Sequence, residues 1–299
     1  MGGKASEEAP ISRVLVTGGA GFIGRHLVRR LEAIGQSVTV YDLANDDDLM
    51  NRQTLTRAMA SQDMVFHLAG DATVRLGTDP RVPIEANVIA TQNVLEVMRA
   101  TNVQRIAFSS TSAVYGDTST FPTPEDCPMP IQTSLYGASK LAAESLIAAY
   151  ARSYDLQATI FRFAPVLGEG YHRGHLYDFW QKLKHDPTRI EVLGDGEQRR
   201  SYIYVSDVVE AVLHAGLDDS SEPVRIFNVG HYQSCTVNES LSWLCESLNI
   251  EPERVYTGTS WVGDKRLTLL DCTRLLSLGW TPTVSIKDAV LRTVASFDG

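Results

Sequence analysis

The chain is poor in cysteine, has no long apolar run and carries no basic excess, and each shortage closes off a class of protein. The four cysteines, Cys127, Cys235, Cys245 and Cys272, show no CxxC spacing and no pairing pattern. They are read as reduced thiols of a cytoplasmic protein rather than as a disulfide framework or a zinc site. No apolar stretch approaches the roughly 20 residues that a membrane-spanning helix needs. The net charge is -9, which argues against a protein held on nucleic acid, because phosphate neutralisation takes clustered Lys and Arg. A local pocket can still hold a phosphate-bearing small ligand against that global sign. What is present is ordinary for a globular protein: 43% apolar and 21% charged residues over 299 positions, enough for one large domain or two lobes.

Short β-rich runs alternate with segments of helical period. Arg13–Thr17 (RVLVT), Ser37–Tyr41 (SVTVY), Met64–Leu68 (MVFHL), Arg105–Ser109 (RIAFS) and Gln157–Phe163 (QATIFRF) read as strands. Between them, Gly21–Ile34, Asn87–Ala100 and Tyr136–Tyr154 read as helices. Continuous apolar strands alternating with helices imply a parallel sheet covered on both faces, a doubly wound α/β fold. The expected division is a dinucleotide-binding Rossmann domain over 11–167, to which 205–230 returns, and a smaller α/β substrate lobe made of 168–204 and 231–299. In that lobe helices are expected near Asn238–Leu248 and Asp271–Leu278, and one more within 168–204.

Thr17-Gly18-Gly19-Ala20-Gly21-Phe22-Ile23-Gly24 lies between the first strand and the first helix. Gly18 permits a tight turn, Gly21 lets the backbone approach a pyrophosphate, and Gly24 lets helix and strand pack closely. The helix N-terminus then turns its unsatisfied N–H groups toward the phosphates. The second strand ends at Asp42, where a carboxylate can accept from both adenosine ribose hydroxyls and would repel a 2′-phosphate. The cofactor expected is therefore NAD rather than NADP. Asp48 and Leu49 fall where adenine would sit.

Tyr136 and Lys140 are four apart and share one helix face. A free tyrosine, with a pKa near 10, is a poor base at neutral pH, and lowering it by about three units takes roughly 4 kcal/mol. An ammonium and an oxidised nicotinamide, each about 5 Å away, could supply around 3 kcal/mol apiece at an effective dielectric of 20. Upstream, Ser109-Ser110-Thr111-Ser112-Ala113-Val114-Tyr115-Gly116 follows a strand that should end at the cofactor edge, offering a hydroxyl to the oxygen whose proton Tyr136 removes. His172 and His175 are three apart with Arg173 between them, and read as substrate-loop residues; no metal is expected.

The glycine segment, His67–Gly70 (HLAG), SSTSAVYG and YGASK together resemble an extended short-chain dehydrogenase/reductase, in its NAD-dependent nucleotide-sugar epimerase/dehydratase branch. The resemblance runs from about Arg13 to about Pro282. It implies bound NAD, contacted also by Phe22, Ile23, Leu68 and Ala69, a UDP-sugar substrate, and a homodimer joined by helices such as Asn87–Ala100 and Tyr136–Tyr154. By the same resemblance Tyr136 is the base, Lys140 holds the nicotinamide ribose, and Thr111 takes the catalytic Ser/Thr position. Gly194–Tyr202 resembles the segment that puts an arginine, here Arg200, on the sugar-nucleotide diphosphate.

Departures narrow the reaction. Dehydratases of this family carry an Asp-Glu pair after the threonine, where this chain has Ser112-Ala113, and the decarboxylases carry Glu at the Ala113 position. What survives suffices for epimerisation at C4 or for reduction of a keto sugar. The family's RFxN reads Arg162-Phe163-Ala164-Pro165, and Trp261 stands where RxGD has its arginine, before Gly263-Asp264. Pro165 and Asp264 are therefore the substrate positions of those two segments. Arg75, His172 and Arg173 are candidates to meet the C6 substituent, and Thr111-Ser112 resembles the arrangement in epimerases acting on glucuronic acid; UDP-glucuronate/UDP-galacturonate is the expected substrate pair, ahead of UDP-glucose or an N-acetylhexosamine.

Overall fold

The computed structural model describes residues 11–73, 79–128, 131–259 and 266–298. Its first half builds one sheet. Strands β1 (Arg13–Thr17), β2 (Ser37–Tyr41), β3 (Met64–His67), β4 (Arg105–Thr111) and β5 (Gln157–Phe163) are joined by β10 (Val224–Val229) in the order β10-β5-β4-β3-β1-β2, all parallel. β1 is apolar on both faces because both are covered. Helices α1 (Phe22–Ala33) and α7 (Val205–Gly216) bury Leu27, Leu31, Val208 and Val212 against one side. On the other, α2 (Arg52–Met59), α4 (Ala90–Thr101) and α5 (Leu135–Tyr154) bury Leu55, Met59, Val94, Met98, Ala143 and Ile147. Each of these fully buried aliphatic side chains is worth about 1.5–3 kcal/mol of transfer free energy, so the two clusters hold the strand ends in fixed register.

The chain order reverses between β1 and β3: β1 to β2 runs outward one way, and β3, β4 and β5 run the other. A crevice opens at the carboxyl ends of strands at such a reversal, and ligands bind there. Thr17 and His67, paired across β1 and β3, mark its floor.

Local signals set the helix starts. Ser134 caps α5 by accepting from the Gly137 N–H at 3.0 Å, and Thr236 and Glu239 form a reciprocal capping box at α8 (Val237–Leu248). A short α3 (Arg81–Pro83) runs through a π-helical turn (Ile84–Ile89) into α4, so the helix expected from Asn87 has a widened first turn.

A third apolar cluster lies apart from the sheet, where α6 (Gly174–His185), α8 and α10 (Ile286–Ala295) pack Leu176, Phe179, Leu183, Leu241, Leu244, Ala289 and Val290 together. Small ladders attach to it: β7 (Arg189–Val192) with β12 (Glu253–Tyr256), and β8 (Arg199–Arg200) between β11 (Cys235–Thr236) and β13 (Leu267–Thr268). β6 (Val166–Leu167) and β9 (Ile203–Tyr204) form a third. The helix expected over Asp271–Leu278 shortens to α9 (Thr273–Ser277), because the Asp271 carboxylate accepts from the Thr273 N–H and hydroxyl and starts the helix late. The segment Thr118–Cys127 is tied to the far end of the chain: Thr123 N–H donates to the Leu269 carbonyl, and Asp271 N–H donates back to Thr123. All four cysteines are buried free thiols, and burial pushes Cys235 and Cys272 up to about 12.

Candidate active site

The glycine turn and the carboxyl ends of β1, β2 and β3 form a cradle. Gly18 has φ +71°, and a Cβ there would sit 2.6 Å from the Ala69 N, so both backbone conformation and space demand glycine. A Cβ on Gly24 would lie 2.0 Å from the Gly18 carbonyl oxygen, which makes this the close approach of α1 to the turn. Gly21 is the N-cap of α1 with no side-chain cap, so the first N–H groups of the helix stay available. Asp42 follows β2 directly, and its carboxylate accepts from the Ala20 N–H at 3.0 Å and from the Ala44 N–H at 2.9 Å. Each oxygen keeps acceptor capacity for ribose hydroxyls. Phe22, Ile23, Leu68 and Ala69 are half-buried around the turn. Leu49 is buried in the core below, while Asp48 uses one carboxylate oxygen locally, accepting from the Met50 N–H at 2.8 Å. These residues fit a dinucleotide with a bare 2′-hydroxyl.

Beneath the cradle is a chain of buried polar side chains. His67 is fully buried, with Nδ1 2.7 Å from the Thr17 hydroxyl and Nε2 2.9 Å from the Thr91 hydroxyl. Burial, with the Lys140 charge nearby, holds its pKa down at about 3, so the ring is neutral. The Asn87 amide, in the π turn, donates to the Ser139 hydroxyl at 2.9 Å and to the Asp71 carbonyl at 3.0 Å, and accepts from the Asp71 N–H. Ser139 in turn donates to the Tyr136 carbonyl. The first turn of α5 is therefore fastened to the loop after β3.

Tyr136 and Lys140 emerge on the face of α5 that meets β4. β4 runs two residues beyond its expected end, so Thr111 is its last residue and its hydroxyl faces the Tyr136 phenol. Burial raises the Tyr136 pKa to about 12; the Thr111 hydroxyl pulls it down, and the Asp71 carboxylate pushes it further up. Lys140 is 5% exposed, with Nζ 4.4 Å from the centre of the Phe108 ring. Burial lowers its pKa to about 8, against an opposing pull from Glu144.

Ser112 opens a 3-10 turn over Ser112–Tyr115 and lines a cavity of about 210 Å³ with Asp117, Phe121, Arg266 and Thr268. Pro165 links β5 to β6, and its carbonyl accepts from the Ile203 N–H. Arg200 lies half-buried on β8; desolvation, helped by the Arg200 charge, keeps the half-buried His175 neutral, with a pKa of about 4. Arg173 is exposed at the N-cap of α6, and the exposed His172 ring faces Tyr177 and Phe297. Arg75, Trp261 and Asp264 lie outside the described residues. Among the described residues no cluster of His, Cys, Asp or Glu is arranged to hold a metal, and no helix is long and apolar enough to cross a membrane.

Several residues at the site carry no motif and escaped the sequence reading. Tyr171 packs against Phe22 at 5.1 Å between ring centres and acts on Tyr136; Asp71 and Asn87 brace the loop after β3. The signals available were weak: an Asn amid a helical period for Asn87, and an aromatic within a Gly-rich stretch for Tyr171.

A parallel sheet whose reversal carries a glycine turn, a ribose-facing acid and a Tyr/Thr pair defines a dinucleotide-dependent enzyme acting at a carbon bearing a hydroxyl. The chain belongs to the NAD-dependent epimerase/dehydratase family, whose model matches residues 14–230, and its cofactor is NAD. It is 31% identical to a putative UDP-glucose 4-epimerase of Methanocaldococcus jannaschii, over 94% of this chain and 97% of that one. Among solved structures, a UDP-galactose 4-epimerase is 37% identical with a TM-score of 0.86, covering 96% of this chain and 98% of that one. The structure of MoeE5 with UDP-glucuronic acid and NAD is 30% identical with a TM-score of 0.87, covering 96% and 99%.

Proposed function

We propose that the protein is an NAD-dependent UDP-sugar 4-epimerase whose preferred pair is UDP-glucuronate and UDP-galacturonate. The observation that carries the reaction is the Tyr136 phenol set against the Thr111 hydroxyl at the cofactor edge of the sheet, with neutral Ser112 and Ala113 beside it. No carboxylate stands at those two positions to move a proton at C5 or C6, so the chemistry left is oxidation and re-reduction at one carbon. For the substrate pair, support comes from Ser112, whose hydroxyl can donate to a C6 carboxylate; MoeE5 is solved with UDP-glucuronic acid and also with UDP-glucose. UDP-glucose is the second reading, because the relatives described above include enzymes named for it and for UDP-galactose.

Bound NAD supplies the hydride acceptor and a positive charge at the nicotinamide. Tyr136 takes the proton of the sugar 4-hydroxyl while Thr111 donates to the same oxygen and fixes its direction. Burial makes the task of Tyr136 harder than its sequence alone suggests. From about 12, reaching neutrality takes about five units, or roughly 7 kcal/mol. Two unit positive charges, each about 5 Å away at an effective dielectric of 20, supply around 3 kcal/mol apiece. The base is therefore ready only when the Lys140 ammonium and the cofactor charge act together. After the keto sugar turns its other face, the proton returns from Tyr136. Arg200 anchors the diphosphate so that the sugar turns without leaving, and positioning does most of the catalytic work. The turn shaped by Gly18 and Gly24 receives the pyrophosphate, with Gly21 at the point of closest approach, and Asp42 receives the ribose.

The same reading carries a cytoplasmic homodimer joined through the helices at 87–100 and 136–154, supported by Ile89, Leu135 and Tyr154, exposed along or beside them. The deciding experiment incubates the purified protein with UDP-hexoses and UDP-hexuronates, without added cofactor, and follows C4 by NMR. Inversion of UDP-glucuronate fastest among them is expected. No inversion in any sugar sinks the epimerase reading, and faster inversion of UDP-glucose sinks the hexuronate preference alone.

A further inference from the structure

Behind Thr111 lies a buried ionic network that the chemistry above leaves unused. Glu144 stands on α5 one turn beyond Lys140 and is 4% exposed; Arg162, near the end of β5, is 3% exposed. Arg162 donates through Nη2 to Glu144 Oε2 at 2.7 Å and through Nε to both carboxylate oxygens, at 3.1 and 3.2 Å. Its Nη1 donates to the Tyr115 hydroxyl and to the Glu125 carbonyl, each at 2.9 Å. The Ser110 hydroxyl donates to Glu144 Oε1. The Tyr115 hydroxyl donates onward to Asn228 Oδ1 at 2.7 Å.

Two flanks of one residue meet in this network. Ser110 immediately precedes Thr111, and Tyr115 closes the 3-10 turn that follows it. Both are bound to a single carboxylate–guanidinium pair, whose carboxylate rides the helix that carries Tyr136 and Lys140. The strand end and the helix are thus joined behind the place where the Thr111 hydroxyl faces Tyr136. An apolar pair could fill the same space, and buried ion pairs replaced by apolar side chains are often as stable or more so. A directional, fully satisfied network does what apolar packing does not: it specifies one spacing.

We propose that Glu144 and Arg162 are a positioning pair that sets the reach of the Thr111 hydroxyl to Tyr136. Neither residue touches the reacting atoms. The pair acts by holding the end of β4 at one distance from α5, so that Thr111 and Tyr136 address the same sugar oxygen. The inference rests on Tyr136 and Thr111 being the proton-transfer pair.

Two variants leave the net charge near Tyr136 unchanged: Ser110→Ala, and the double variant Glu144→Leu with Arg162→Met. Tyr136 is also faced by Asp71 from the loop after β3 and Tyr171 from the loop before α6, and neither is altered; Lys140 stands one turn on along the same helix, and Ser110→Ala keeps the Glu144 charge that raises its pKa. The substrate-free measurement is the ultraviolet titration of the Tyr136 phenol in NAD-loaded protein, taken as the difference from Tyr136→Phe. A Thr111 hydroxyl displaced from Tyr136 is expected to raise its midpoint by about half a pH unit or more in both variants. In turnover, kcat is expected to fall about 10–100-fold with KM within about twofold, the signature of misplaced groups. An unchanged phenol midpoint in both variants overturns the proposal, as does a double variant of wild-type Tm and wild-type kcat. If the wild type inverts no UDP-sugar, the 4-epimerase reading fails while the phenol titration still decides the positioning role.

Discussion

Lys140 offers the sharpest energetic test, because it is an ammonium buried at the site with only part of its cost offset. Burial holds its pKa at about 8, while Glu144 pulls in the other direction. An unfolded lysine titrates near 10.4. Below about pH 8 the residue is protonated in both states, and folding carries the full penalty of burying the charge. Between about 8 and 10.4 the unfolded chain binds the extra proton, so stability rises with pH across that window. Above it both forms are neutral and the penalty is gone. A difference of about two and a half units corresponds to roughly 3 kcal/mol. Lys140→Met keeps the length and removes the charge. In NAD-stripped protein the variant should be the more stable by an amount that is constant below pH 8 and shrinks by roughly 3 kcal/mol on the way to pH 10.4. Urea unfolding of both proteins at half-unit pH intervals measures it, and differences in packing appear only as a constant offset. A difference curve flat from pH 7 to 10.5 would refute the reasoning, since it would mean that Lys140 is not charged at a cost in the fold. The same variant should be inactive, so that stability and turnover move in opposite directions.

Other substitutions test the remaining parts. Tyr136→Phe should lower kcat by about 10²–10⁴-fold, the usual reach of a positioned base, with bound NAD retained by absorbance. Gly24→Ala places a methyl 2.0 Å from the Gly18 carbonyl; a loss of about 1–3 kcal/mol in stability and of bound NAD is expected, and a normal NAD content would contradict the close approach. Asp63 is held down at about 2: burial opposes, but hydrogen bonds from Arg13 and from the Ser12 and Arg13 N–H groups prevail. Its depressed pKa adds stability above the unfolded value near 3.9 that is lost as pH falls toward 2, so Asp63→Asn should cost about 1 kcal/mol at pH 7, allowing for solvent screening, and nothing near pH 2. Equal costs at both pH values would remove that assignment.

The doubly wound sheet was legible from the chain because its inner strands are buried on both faces and read as short, largely apolar runs between helical segments. The cradle was legible for the same kind of reason: Gly18 and Gly24 are demanded by backbone contacts that no side chain tolerates. The ladders built on β6 to β9 and β11 to β13 were not legible. Most are two-residue strands, and their pairing depends on segments far away in sequence. Helix α10 escaped although Ile286, Ala289, Val290 and Val294 carry its period, since that stripe is short and follows a turn-rich stretch. Glu144 and Arg162 look like surface charges in one dimension, and only the meeting of α5 with β5 makes them a buried pair. The position of Tyr136 was visible, but its elevated pKa was not, because burial is a property of the assembled site.

The seam between Thr123 and the segment Leu269–Asp271 bears on how the protein is made. Thr123 exchanges backbone hydrogen bonds with Leu269 and Asp271, and the Asn228 amide donates to the carbonyls of both Thr123 and Asp271. The loop that walls the cavity beside Ser112 is therefore pinned by residues made well after the sheet. During synthesis the sheet can close once β10 has emerged, yet that loop lacks its anchor until the segment Leu269–Asp271 leaves the ribosome. Nascent chains cut short before residue 266 should already bury the sheet but leave the loop open to protease near Phe121. The wall of that cavity then becomes protected only after the sheet behind it.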